Sequence, residues 1–166
     1  MITGIIVAGG KSSRMGKDKS LLYSNVKRLA NEMRKYGCGN VIVMCGTSDR
    51  SDLFDELCVV DSAETLAESL FDLVSNIEGR IQIAPCDAYL ADAELFGSIN
   101  GVPLDDNEMR QPLLAKIDSS KALIRDVKVT EMFRNIPSCN GGIKARNTNT
   151  PEELKAIQSF LQQEDL

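Results

Sequence analysis

The chain has 166 residues, enough for one domain with a core of its own, and a net charge of −5 that does not suit a nucleic-acid coat protein. It contains no histidine, which removes Ser-His and Cys-His catalysis, histidine metal sites and histidine general bases together. Its five cysteines (Cys38, Cys45, Cys58, Cys86 and Cys139) have no C-x-x-C spacing, so they mark neither a disulfide framework nor a zinc knuckle.

Ile5 to Ala8 is a short apolar run of buried-strand length. It meets Gly9-Gly10 and then a loop carrying Lys11, Arg14, Lys17 and Lys19 against a single acid, Asp18. A strand, a glycine-rich turn, a cationic loop and a helix start make an anion site. Glycine lets phosphate oxygens reach backbone N–H groups, and Lys and Arg neutralise the charge that remains. Two common phosphate loops are not met. Gly10 and Gly16 enclose five residues and Lys17 is followed by Asp18, which breaks the Walker pattern, and G-x-G-x-x-G is absent.

Leu21 to Tyr36 repeats apolar residues at a helical period and is stopped by Gly37 and Gly39. Val41 to Met44 reads as a second strand, followed by Cys45-Gly46-Thr47-Ser48. A helical turn over Asp52–Leu57 precedes a short strand, Cys58–Val60, that ends on Asp61. Thr65 to Ile77 reads as a helix, and Ile81 to Ala84 as a strand ending in Pro85-Cys86-Asp87. This alternation predicts an α/β domain built of right-handed βαβ units around a mostly parallel sheet.

The second half predicts a short helix over Ala91–Ile99, a strand over Arg110–Ile117, a weak helix over Lys121–Phe133 and an edge strand over Ile143–Arg146. Thr150 and Glu153 form a capping box with Pro151 at the first helical position, opening a last helix to about Gln163. No repeat or linker divides residues 1–166, so a single domain is expected. With no bilayer-length apolar run and no charged-then-apolar leader, the expected location is the cytoplasm, without a membrane partner.

In an open parallel sheet the binding crevice lies beyond the carboxyl ends of the strands. The Gly9–Lys19 loop, Gly46-Thr47, Asp61 and Asp87 all fall at such ends. Asp87 suits either an oxygen ligand for a cation or an ordinary solvated or capping aspartate at a strand end. Asp61-Ser62 suits either a ligand contact or a helix cap, and Asn149 either a site role or a helix start.

Ala8-Gly9-Gly10-x-Ser12-x-Arg14-Met15-Gly16-x-Asp18-Lys19 resembles the signature loop of nucleotidyltransferases, most of all the molybdenum cofactor guanylyltransferase (MobA-like) family. Pro85-Cys86-Asp87 is similar to that family's Pro-Cys-Asp segment, although Ala88-Tyr89 stand where Pro-Phe is usual. Asn147-Thr148-Asn149-Thr150-Pro151-Glu152-Glu153-Leu154 resembles its Asn-x-Asn-Thr-Pro-Glu-Asp-Leu motif, and Gln111-Pro112-Leu113 a further family strand. The resemblance implies a Rossmann-like three-layer domain of the nucleotide-diphospho-sugar transferase type. It implies a nucleotide site of Val7, Ala8, Gly9, Gly10, Ser12, Lys19, Asp61, Asp87 and Asn149. Catalysis would fall to Arg14, Lys19 and Asp87, with Mg²⁺ on Asp87 and GTP as the donor.

The implied reaction moves GMP to the terminal phosphate of molybdopterin and releases pyrophosphate, with transient contacts to other molybdenum cofactor proteins. That phosphate is already ionised at neutral pH, so no general base is needed and the lack of histidine costs nothing. Asp61 would accept from guanine N1–H and the 2-amino group. The family's Gly-Pro-Leu-Ala-Gly turn reads Glu64-Thr65-Leu66-Ala67-Glu68 here, and Met44-Cys45-Gly46 lacks the family asparagine. A related transferase using CTP or a sugar phosphate therefore stays open, as does a nucleotide binder without turnover.

Overall fold

A computed structural model describes residues 1–8, 19–46, 56–146 and 155, with the backbone alone for 19–23. Seven strands and four α-helices are described: β1 Ile2–Val7, α1 Lys19–Tyr36, β2 Cys38–Gly46, β3 Leu57–Val60, α2 Leu66–Ser75, β4 Arg80–Pro85, α3 Ala93–Ser98, β5 Val102–Asp105, β6 Lys116–Ile117, α4 Val129–Met132 and β7 Ser138–Gly142. The main sheet has the order β3-β2-β1-β4-β6, and β5 pairs with β7 in a separate parallel ribbon. Strands β1 to β4 are parallel, and β6 runs antiparallel to β4.

The layers follow from the handedness of the crossovers. From β1 to β2 the chain steps one way along the sheet; from β3 to β4 it steps back past β1. A right-handed connection must then put α1 and α2 on opposite faces. The core agrees. Ile6, Val43 and Ala84 pack with Val26, Leu29 and Met33 of α1 and Phe96 of α3. Ile5, Met44 and Ile83 pack with Leu70 and Val74 of α2 and with Met132 and Phe133. Alternate residues of one strand thus fill two cores, which makes β1 apolar on both sides.

The elements of the first half lie where the apolar spacing puts them, with small shifts at their ends. α1 starts at Lys19 and ends where the Gly37 N–H bonds Met33 O and Arg34 O, both at 3.1 Å. Gly37 has φ 130°, so the chain turns straight into β2, which is longer than its apolar stretch because Cys38 and Asn40 pair with Ile2 and Thr3. The helical turn expected over Asp52–Leu57 falls largely outside the described residues, and Leu57 itself opens β3.

The second half departs more. Arg110–Ile117 is not one strand: Pro112–Leu114 is a 3-10 turn with proline at its start, and only Lys116 and Ile117 pair with β4. Lys121–Phe133 is not one helix: a 3-10 turn at Ser120–Ala122 and α4 at Val129–Met132 are separated by irregular chain. Ile143–Ala145 is a 3-10 turn instead of an edge strand, and the strand lies just before it in β7. β5 lacks a sequence signal because its four residues are Val-Pro-Leu-Asp. The last helix falls outside the described residues, apart from Lys155, which is helical.

Lys116 is a charged residue inside this core, only 2% exposed. Its ammonium donates to Tyr36 Oη at 2.6 Å and to Phe96 O, and lies 4.1 Å from the centre of the Tyr36 ring. A cation on a carbonyl in the last turns of a helix is favourable, which gives this buried charge a structural reason.

Candidate functional site

The strand order reverses at β1, leaving β4 on one side and β2 and β3 on the other. The crevice expected at such a switch lies between the loops that leave β1 and β4. Hydrogen bonds carry the sheet one residue past its strands on this edge. Ala8 N donates to Met44 O at 2.8 Å, Cys86 N to Val7 O at 3.0 Å, and Asp61 N to Gly46 O at 3.0 Å. Cys86 is therefore docked on the last residue of β1, and Asp87 is the next residue along the chain. Val7 and Ala8 are buried, whereas Asp61 and Asp87 are half-buried.

The Asp87 turn is held from within and from α1. Ala88 N donates to Pro85 O at 3.1 Å, and Tyr89 N to Asp87 O at 2.9 Å. From α1, Asn25 Nδ2 donates to Cys86 O at 2.7 Å. Arg28 donates from Nη2 to Ala88 O at 2.9 Å and from Nη1 to Ala91 O at 2.7 Å, and its Nε reaches Asn25 Oδ1 at 2.8 Å. Burial lowers the Arg28 pKa from its ordinary value, an effect opposed by Glu32 and Asp92. Lys144 Nζ bonds Asp92 Oδ2 at 2.7 Å, tying the stretch after β7 to the cap of α3.

The capping role for Asp61-Ser62 is taken by another residue. α2 starts at Leu66 and its cap is Thr65, whose Oγ1 accepts from Glu68 N at 3.2 Å and donates to Glu68 Oε1 at 2.9 Å. Asp61 stands four residues ahead of that cap, on the strand-end edge.

Of the residues proposed for the site, the structure brings Val7, Ala8, Asp61 and Asp87 to this one edge. Gly9, Gly10, Ser12, Arg14 and Asn149 lie outside the described residues. Lys19 is described as the first residue of α1 by its backbone. Asn25 is six residues along the helix from it, about 9 Å at 1.5 Å per residue, so the start of α1 and the Asp87 turn share one end of the sheet. Asn25 and Arg28 were not singled out from the sequence. The available signal was a polar residue at a buried position of the α1 stripe, and Asn25 is 4% exposed.

The donor set suits magnesium that arrives on a nucleotide. No group of three or more His, Cys, Asp or Glu residues placed to hold an ion occurs among the described residues. One carboxylate at a strand end is what an ion already coordinated by phosphate and water requires.

A mostly parallel sheet whose order reverses at β1, with cores on both faces, defines a doubly wound α/β domain. The chain belongs to the MobA-like NTP transferase domain family, whose model matches residues 4–127. It is thus a nucleotidyltransferase by family, and no curated protein matches it.

Solved structures share the fold. Aq1419 of Aquifex aeolicus VF5 is 18% identical with a TM-score of 0.68, covering 89% of this chain and 93% of its own. The 4-diphosphocytidyl-2C-methyl-D-erythritol synthase of Anaerococcus prevotii is 13% identical with a TM-score of 0.59, covering 98% of both chains. Rv0371c of Mycobacterium tuberculosis, in complex with manganese, is 14% identical with a TM-score of 0.56, covering 96% of this chain and 95% of its own. The fold is of the nucleotide-diphospho-sugar transferase type. No described helix is long and apolar enough to cross a membrane.

Proposed function

We propose that this protein transfers GMP from Mg-GTP to the terminal phosphate of molybdopterin and releases pyrophosphate. The observation that supports the reading is the bond from Cys86 N to Val7 O, which brings the residue before Asp87 to the carboxyl end of β1 in a chain of the MobA-like family. Asp87 would hold the ion, and the backbone amides of Gly9 and Gly10 would bind the triphosphate, since the Ala8 N–H, first expected to share that task, is taken by Met44 O. Arg14 and Lys19 would neutralise phosphate charge as the acceptor oxygen attacks in line with the departing pyrophosphate. Bound Mg²⁺ supplies Lewis-acid polarisation of the transferred phosphate and charge relief on the leaving group. Asp61 would read the guanine edge, a role supported by Thr65 taking the helix cap.

A second reading, transfer of another nucleotide such as CMP to another phosphorylated acceptor, is favoured by two observations. The turn after Asp61 is built around a Thr65–Glu68 pair where the family has Gly-Pro, and the fold is shared with a diphosphocytidyl synthase. Pyrophosphate exchange measured with GTP, CTP and ATP in turn, each in the presence of molybdopterin or of a sugar phosphate as the attacking acceptor, separates the readings. Exchange fastest with GTP and lost in Lys19→Ala supports the first; a preference for CTP supports the second. Absence of exchange with every nucleotide, alongside nucleotide binding, leaves a binder without turnover.

A further inference from the structure

Three backbone carbonyls of the Asp87 turn, those of Cys86, Ala88 and Ala91, point their lone pairs at two side chains of α1. Cys86 and Ala88 are the residues on either side of Asp87. The two side chains are also joined to each other, because Arg28 Nε donates to Asn25 Oδ1 at 2.8 Å. Asn25 thereby uses its carbonyl and its amide in one network, and Arg28 uses three nitrogens in fixed fork geometry. Neither contact is local: the partners are 60 to 63 residues apart in sequence. A buried amide in a helix stripe costs free energy unless fully bonded, so its presence argues for a requirement beyond packing.

We infer that Asn25 and Arg28 are positioning residues that lock the Asp87 turn to the helix beginning at Lys19, so that the metal carboxylate keeps one fixed position relative to that helix. The inference rests on the reading of Asp87 as the metal ligand. Mg²⁺ and Mn²⁺ demand near-octahedral oxygen geometry, so a turn that drifts by a fraction of an ångström weakens the ion's hold. Groups that orient a ligand in this way commonly change metal affinity by about 10- to 100-fold when removed. Arg28 also carries the geometry in a form that lysine cannot copy. A single ammonium on a flexible stem cannot serve Asn25, Ala88 and Ala91 together.

The test is Mn²⁺ binding with GTP present, followed by electron paramagnetic resonance, on the whole chain as wild type, Arg28→Met, Arg28→Lys and Asn25→Leu. Met33→Ala, a core truncation on the same helix, serves as the stability-matched control. Hydrogen exchange at amides 86–91 is read in parallel. The expected result is a Kd for Mn²⁺ raised about tenfold in Arg28→Met and Asn25→Leu, less in Arg28→Lys, and unchanged in Met33→Ala. Faster exchange at 86–91 should accompany it. Wild-type Mn²⁺ affinity in folded Arg28→Met and Asn25→Leu overturns the inference, as does an equal loss in Met33→Ala. If the two stronger variants fail to fold, Arg28→Lys decides by the same comparison. A wild type that binds no Mn²⁺ with GTP sinks the inference and the metal role of Asp87 alike. A wild type that binds it but exchanges no pyrophosphate sinks only the transferase reading.

Discussion

Asp87 carries the metal argument alone among the described carboxylates, since no larger acidic group is placed to hold an ion. Asp87→Ala should lower pyrophosphate exchange at least about a hundredfold, roughly 2.7 kcal/mol of barrier, and remove the dependence on Mg²⁺. Retained activity with an unaltered Mg²⁺ titration would exclude it as a ligand. Its place at a strand end was legible because the apolar stretch Ile81–Ala84 marks where β4 stops. Asn25 and Arg28 were not legible, because periodicity describes which face a residue occupies and says nothing of carbonyls some sixty positions away. A second prediction concerns Cys38, whose thiol is pushed up from 9.0 to about 11, chiefly by burial and against the opposing pull of Lys116. The native state keeps this proton longer than the unfolded chain does, so stability present below about pH 9 should decline as the pH rises towards 11. Denaturant melts in that window should show the decline, flattened in Cys38→Ala. Thiol titration at pH 8 should find Cys38 unreactive until the protein unfolds.

Elements in the first half are long enough for their own pattern to decide them. β1 and β2 contain the apolar runs Ile5–Val7 and Val41–Cys45, β4 is apolar from Ile81 to Ala84 but for the buried Gln82, and α1 repeats its apolar stripe from Leu21 to Tyr36. Elements in the second half are two to six residues long, and their pairing partners select them. Lys116 enters the sheet by exchanging backbone bonds with Gly101, 2.8 Å and 3.0 Å, as well as by its register with Gln82. Gly101 is itself constrained, with φ 110° and room so short that a Cβ would lie 2.3 Å from Pro137 O. Gly101→Ala should therefore destabilise the protein by about 2 kcal/mol or more, through strain and a clash with rigid backbone. Urea denaturation would reveal it, and a wild-type midpoint would contradict the account. No window of local sequence announces that constraint. The same holds for Ile143–Ala145, where apolar character fits an edge strand but the glycines before it make the strand.

On the scale of the whole molecule, the ligand and the sheet edge should stabilise each other. A nucleotide that binds only the native state at a hundred times its Kd adds about 2.7 kcal/mol. For a chain of this length that corresponds to about 5–10 °C in Tm. If Asp87 holds the ion as proposed, GTP with Mg²⁺ should give such a rise and GTP with EDTA a clearly smaller one. Equal shifts under both conditions would argue that the nucleotide binds without its metal.

Three strand ends of the candidate site continue the sheet by backbone hydrogen bonds from Ala8, Asp61 and Cys86. They belong to separate crossovers and stand on one common foundation. Such an arrangement is modular. Grafting the stretch after Asp61 from a relative with another base preference should alter the choice of donor while the metal turn stays seated, so selectivity in this lineage can drift one loop at a time.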